Sequence, residues 1–408
     1  MHRLHPPEHS RERTMSPTAA VTGIALASPL GGSLDATWEA LLAGRTGFTR
    51  VTATDGLYPG VAKAAAGALA DDLPDVPAFG RKRLRALSRE SLLVSRVGML
   101  AWQDAGFGPG AAPDPEQTAV VLGTAAGGLT GYLQVMRDGL TLGPELVSPY
   151  AGPQGSLNAA ASDLSIAAGA QGSIVTVTAG RCSGAHALTV AADYVRTGQA
   201  QAVLVAAVDV LDPLRLAAGE RAGTPRPFGA DRAGAPPGEA AVVLVVEDAA
   251  RARARGARVH AEIAGVSALR GGADGASAAA PAVAAALADA GVPAGGLSLV
   301  CSSAAGDPHT DRAEAFAVHG AVGSATPVHS PFGALGDCAG ATALLQVALT
   351  ARALADRCAP PTAGRGAPDP DLPAVATADG PRDLAGGPAL VLTTDAHGQA
   401  SAVVLRTP

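Results

Sequence analysis

The sequence predicts a soluble α/β protein assembled from two related halves, and three observations carry that expectation. Short continuous apolar runs alternate with small-residue segments of helical spacing. Only 3% of the 408 residues are aromatic while 51 are Gly, which favours close helix and strand packing over large aromatic cores. Three local patterns of the first half recur, in order, in the second. A chain of this length buries a substantial core as one large unit or as two medium ones.

Residues 1–17 carry Arg, His and Pro where a secretory signal needs an apolar stretch. They hold too little apolar content to pack, so a disordered leader is expected there. From Val21, VTGIALASPLGG reads as a buried strand and turn, followed by the helix DATWEALLAG. RVGMLAWQDAGF has helical spacing, TAVVLGTAAGG is a strand entering a Gly turn, and SIVTVTAG is a strand. CSGAHALTVAADYVRTGQ is a small-residue helix, and QAVLVAAVDV and AAVVLVVED are continuous apolar strands, as expected of a sheet covered on both faces. A polar Ala/Arg-rich stretch then precedes a second round of the same order, so the halves are placed at residues 18–250 and 251–408. Thr224–Gly238 and Cys358–Gly387 are rich in Gly and Pro and read as irregular surface segments.

The recurring patterns are specific. Ile263-Ala264-Gly265-Val266 echoes Val21-Thr22-Gly23-Ile24, and Ser303-Ala304-Ala305-Gly306 echoes Thr124-Ala125-Ala126-Gly127. Cys182-Ser183-Gly184-Ala185-His186-Ala187-Leu188 is mirrored by Cys338-Ala339-Gly340-Ala341-Thr342-Ala343-Leu344, each opening a helix.

The net charge of -6 is spread along the chain, so the basic face of a nucleic-acid binder is missing. No apolar run reaches bilayer length, and a cytoplasmic protein is expected. Cys182, Cys301, Cys338 and Cys358 show no paired spacing and read as packed thiols. His309, His319, His329 and His397 match no metal motif, so neither metal nor cofactor is expected.

Several motifs resemble the β-ketoacyl synthases of the thiolase fold. Arg226-Pro227-Phe228 with Asp231-Arg232, Gly234 and Gly238-Glu239-Ala240 is similar to one family run, and Gly143-Pro144, Val147-Ser148-Pro149-Tyr150 and Asn158 to another. Asp311-Arg312-Ala313-Glu314 stands where the family has DRAE, and Gly172–Leu188 matches its nucleophile strand and helix. The resemblance implies a five-layer αβαβα fold with internal pseudo-symmetry. It also implies a chemistry in which a helix-terminal Cys takes an acyl chain as a thioester and two His assist malonyl decarboxylation.

The reactive positions themselves are replaced. Carried onto this sequence, the nucleophile falls on Arg181, the first His on Ser303, the Lys on Phe332 and the second His on Asp337, and the Phe gate near the C-terminus reads Thr394-Asp395-Ala396-His397-Gly398. A guanidinium forms no thioester, and neither Ser nor Asp replaces an imidazole. A retained scaffold without its chemistry resembles the chain-length-factor subunits, although Gln is usual there at the position of Arg181. The resemblance then implies a heterodimer with an active ketosynthase, joined through Ser173–Thr178, and a carrier protein bearing malonyl and growing acyl groups. It also places Leu129, Gly131, Tyr132, Leu133 and Met136 at the tunnel or interface, ordinary helix packing being the alternative. Arg181 and Asp337 hold equivalent positions in the two halves, so a buried ion pair plugging the old site is expected. Two other functions stay open: acyl transfer through Cys182 with His186 as base one turn away, and a homodimeric acyl-binding scaffold.

Overall fold

The computed structural model describes residues 17–51, 64–67, 73–76, 78–108, 110–149, 151–219, 222–271, 278–293 and 295–408. All of the expected leader except residue 17 lies outside the described residues, as does Tyr150.

Ten strands form the main sheet: β1 (Ala19–Ala27), β2 (Thr118–Gly123), β3 (Ile174–Val177), β4 (Ala202–Asp209), β5 (Ala240–Asp248), β6 (Ala261–Arg270), β7 (Leu299–Ser302), β8 (Val328–His329), β9 (Ala389–Thr394) and β10 (Gln399–Arg406). Their order is β8-β7-β9-β10-β6-β1-β5-β4-β2-β3. Outward from the centre, one side runs 1-5-4-2-3 and the other 6-10-9-7-8, the same order displaced by five. Hydrogen-bond sense repeats too. The β2 pairs with β3 and β4 are parallel, as are the β7 pairs with β8 and β9, while the inner pairs are antiparallel. Between the halves, β1 and β6 pair only through Ala20 with Glu262 and Val21 with Ala261.

The principal helices are α1 (Arg89–Asp104), α2 (Leu129–Thr141), α3 (Ala159–Ala168), α4 (Ser183–Arg196), α5 (Ala279–Ala290), α6 (Pro308–Val322) and α7 (Thr342–Asp356). All of them but α2 make the two outer layers and the central one. Strand side chains alternate between faces, and here both faces are covered. Val121, Val205 and Leu244 meet Leu188 of α4 and Leu344 of α7 in the central layer, and Val391 and Val403 reach the same cluster from the other sheet half. Their neighbours Val120, Leu122, Leu204 and Val243 face outward onto Leu93 and Val97 of α1 and Leu164 of α3. In the second half, Val300, Leu390 and Val404 face Val283 and Leu287 of α5 and Val318 of α6. The five layers α-β-α-β-α explain the unbroken apolar runs, and each fully buried Val or Leu contributes about 1.5–3 kcal/mol.

The three echoes fall on equivalent places. Gly23 in β1 lets α1 approach so closely that a Cβ would lie 2.2 Å from the Ala101 carbonyl oxygen. Gly265 in β6 does the same for α5, at 2.3 Å from the Ala286 carbonyl oxygen. Any larger residue at either position pushes a covering helix off its strand. The Thr124 and Ser303 turns follow β2 and β7, and the two Cys-led segments open the central helices α4 and α7.

Candidate functional site

Between β3 and α4 the chain turns at Gly180, whose φ of +54° lies in the left-handed region that favours glycine. Arg181 follows, and its side chain is 10% exposed. It reaches into the second half, where it meets the residues at the other three replaced positions. Its Nη2 donates to the Ser303 carbonyl oxygen at 2.6 Å. Its Nε lies 3.4 Å from Asp337 Oδ1, and its guanidinium carbon stands 6.0 Å from the centre of the Phe332 ring. The ion pair that the repeat predicts is therefore present, with an asymmetry. Arg181 is buried while the Asp337 side chain is 43% exposed, and Nε–H makes no hydrogen bond, so attraction there is electrostatic rather than directional. Burial opposes the charge on Arg181, but Asp337, Glu314 and Asp311 outweigh it and hold the guanidinium above its ordinary pKa.

Buried carboxylates brace the surrounding turns. Glu314 on α6 accepts from the Ser302 and Ser303 hydroxyls, from Ser303 N–H at 2.9 Å and from the Thr394 hydroxyl at 2.7 Å. Ser303 thus spends its hydroxyl on a structural contact. Asp311 accepts main-chain N–H groups from Phe228 at 2.9 Å and from Ala305 at 3.1 Å, which gives the DRAE-like run its role of fixing a loop. Burial, together with nearby Glu314, pushes its carboxyl up to about 7 against those hydrogen bonds. Asp209, at the end of β4, binds both halves: it accepts from the Thr124 hydroxyl at 3.0 Å, from Ala125 and Ala126 N–H at 2.9 Å, and from Gly340 N–H at 2.8 Å.

The geometry is unfavourable for the Cys182 reading. This thiol is fully buried and donates to the Thr393 carbonyl oxygen at 3.5 Å. Burial pushes it up to about 12, the opposite of an activated thiolate. His186 has a buried Nε2 with no hydrogen-bond partner, and burial lowers its pKa.

The proposed tunnel residues lie together on α2, which has no buried residue, so ordinary helix core does not describe them. Tyr132 is 53% and Met136 44% exposed, with Leu129 and Leu133 intermediate. Gly131 is different. A Cβ there would lie 2.9 Å from the Gln154 carbonyl oxygen, so a larger side chain acts first on the packing of α2 against residues 151–154. Among the described residues no group of three or more His, Cys, Asp or Glu is placed to hold a metal, and no helix is long and apolar enough to cross a membrane.

Sequence reasoning noted that the segment holding Asp395 departs from the family pattern but gave Asp395 itself no role. In the structure its carboxylate accepts the main-chain N–H of Arg181 at 2.9 Å. No local signal marks this contact, since Asp395 lies 214 residues from Arg181 along the chain.

Comparison with known proteins agrees with this fold. The profile of the β-ketoacyl synthase N-terminal domain matches residues 17–252, and that of the β-ketoacyl synthase C-terminal domain matches residues 260–365. The 3-oxoacyl-[acyl-carrier-protein] synthase 2 of Vibrio cholerae is 28% identical over 86% of this chain and 89% of its own. The tetracenomycin polyketide synthase ketoacyl synthase alpha subunit of Streptomyces glaucescens is 30% identical over 86% and 88%. Among solved structures, the ishigamide ketosynthase/chain length factor superposes with a TM-score of 0.87 at 23% identity, covering 96% of this chain and 100% of its own. With both domains matched in order on a shared five-layer scaffold, the chain belongs to the β-ketoacyl synthase family.

Proposed function

We propose that this chain is a non-catalytic chain-length factor that pairs with an active ketosynthase, stabilises it and shapes the tunnel in which the acyl chain grows. The observation that carries the reading is the packing of Arg181 against Ser303, Asp337 and Phe332: the positions that would do the chemistry are used to hold one another. A site so filled retains a fold and an assembly surface rather than turnover. Relatives support the setting. One is named as an alpha subunit of a polyketide synthase, one structural neighbour joins a ketosynthase to a chain length factor, and another is titled as a type II acyl-carrier protein in complex with its ketosynthase.

The assembly surface is β3, an edge strand whose Ile174 is 44% exposed. A partner strand there satisfies the main-chain groups that an edge leaves open. The N-terminal half at residues 18–250 supplies this edge and α2, and the C-terminal half at 251–408 supplies Ser303, Phe332 and Asp337. Carrier protein bearing malonyl and acyl groups is the second partner. The test is co-expression with a ketosynthase that keeps its Cys and two His, followed by copurification and mass analysis of products from malonyl carrier protein. A one-to-one complex whose products require this chain supports the reading. A homodimer that turns over acyl substrate alone overturns it.

A further inference from the structure

The turn carrying Arg181 and the hairpin between β9 and β10 meet at one carboxylate. Asp395 Oδ2 accepts the main-chain N–H of Arg181 at 2.9 Å, and Oδ1 accepts the main-chain N–H of His397 at 2.8 Å. The His397 ring places Nδ1 2.8 Å from that same Oδ1. Asp395 is 8% exposed and presses on the turn so closely that a Cβ on Gly180 would lie 2.1 Å from Oδ2. Burial works against its charge, but the N–H groups of Arg181 and His397 and the His397 ring hold the carboxyl below the usual range.

A main-chain N–H aimed at a negative oxygen is what an acyl-transfer site offers to a developing oxyanion. One such donor is commonly the N–H of the nucleophile's own residue. We propose that the Asp395 carboxylate is a resident anion on the Arg181 main-chain N–H and blocks acyl transfer independently of the Arg181 side chain. The inference rests on Arg181 standing at the nucleophile position. A thioester carbonyl entering here finds the Arg181 N–H taken and meets a carboxylate as charge builds on its oxygen. Restoring a thiol alone therefore does not restore acylation.

The experiment compares Arg181→Cys, Arg181→Cys with Asp395→Ala, and Arg181→Cys with Asp395→Asn, each as full-length chain with wild type beside them. The probe is the hexanoyl thioester of N-acetylcysteamine, read by intact mass. The introduced thiolate bonds to the acyl carbon, the bond from that carbon to the N-acetylcysteamine sulfur breaks, and the released thiolate takes a proton from water. Iodoacetamide labelling measures how far the introduced thiol is reachable without any oxyanion. The expected result is acylation at least about tenfold faster with Asp395→Ala than with Arg181→Cys alone, at similar alkylation rates, with Asp395→Asn between them. Rates within twofold of one another overturn the proposal. Hydrogen exchange of peptides spanning residues 178–184 tests it without new chemistry, on wild type against the single variants Asp395→Ala and Asp395→Asn. Faster exchange supports it, and unchanged exchange counts against it. Acylation of the wild-type chain would instead sink the non-catalytic reading itself.

Discussion

The two halves of the sheet share one strand order but finish differently at their outer edges. In the first half the last strand, β3, lies open, with Ile174 44% exposed. In the second half its counterpart β8 is buried, Val328 at 4% and His329 at 2% exposure. An irregular segment closes that edge: Val328 N–H donates to the Ala376 carbonyl oxygen at 3.1 Å, and Thr362 links it further by accepting from Ser330 N–H at 3.1 Å and donating its own N–H to Ala378 at 2.9 Å. Exposed large apolar residues lean the same way among the described residues. Tyr132, Met136, Leu140, Leu142, Leu146, Leu157, Ile166 and Leu214 lie in the first half with Ile174, against Leu269 and Phe316 in the second. An open sheet edge invites pairing and a covered one forbids it, so the proposed assembly has a single direction open to it on this duplicated scaffold.

The most damaging test of this contrast is Ile174→Asp. A charge buried at a paired edge costs several kcal/mol, so association with a ketosynthase is expected to weaken by about a hundredfold or more, by analytical ultracentrifugation, with the monomer's thermal unfolding unchanged. Phe316→Asp, on the exposed face of α6 in the second half, is the matched control and leaves association intact. Equal effects of the two would erase the distinction between the edges.

The covered edge makes its own prediction through His329. Burial lowers this histidine from 6.5 to about 4, so the folded state accepts only the neutral ring. Stability from this group is whole above the unfolded value and is lost as pH falls from 6.5 towards about 4, by up to about 3 kcal/mol. Asp311, raised to about 7, contributes in the opposite sense as pH falls, so the difference between wild type and His329→Gln isolates the histidine. Urea denaturation at pH 7 and pH 5 is expected to show a smaller acid loss in the variant. An equal loss would mean that the edge around His329 opens to water.

Where the halves meet, Asp337→Ala removes the carboxylate beside Arg181. Because Asp337 is 43% exposed, solvent screens part of the pair, and a loss of about 1–2 kcal/mol in urea denaturation is expected. No change would show that the Ser303 carbonyl and the remaining carboxylates suffice. The smallest effect on folding belongs to Tyr132→Ala, which at 53% exposure is expected to move stability by less than about 0.5 kcal/mol. On the proposed function, its expected effect is on product length in the reconstituted complex. Unchanged products would remove Tyr132 from the tunnel.

Much of this architecture was legible in the sequence. Continuous apolar runs announced a doubly covered sheet, and Gly23 and Gly265 marked matched contacts because a strand glycine under a helix has no tolerated substitute. The replacement of the reactive positions was likewise visible, since each is defined by a local pattern. Long-range placement was not. Asp395 lies 214 residues from Arg181 along the chain, and nothing local to Asp395 says that its carboxylate reaches a main-chain N–H there. The cover over β8 comes from a Gly- and Pro-rich stretch whose lack of periodicity hides its docking partner. The exposure of α2 was hidden for a related reason: apolar residues at helical spacing look alike whether they face a core or a partner.

The contacts of Arg181 have a consequence for vectorial synthesis on the ribosome. The first half can close its five strands once Asp248 has emerged, because β5 zips between β1 and β4. At that moment Arg181 is already placed behind its Gly180 turn, yet Ser303, Phe332, Asp337 and Asp395 have still to be made. The nascent half therefore carries a guanidinium whose side-chain partners come only with the second half. Asp337 brings the countercharge first, and the later hairpin of β9 and β10 adds the Asp395 carboxylate that takes the Arg181 main-chain N–H, so charge and turn are secured in two separate steps.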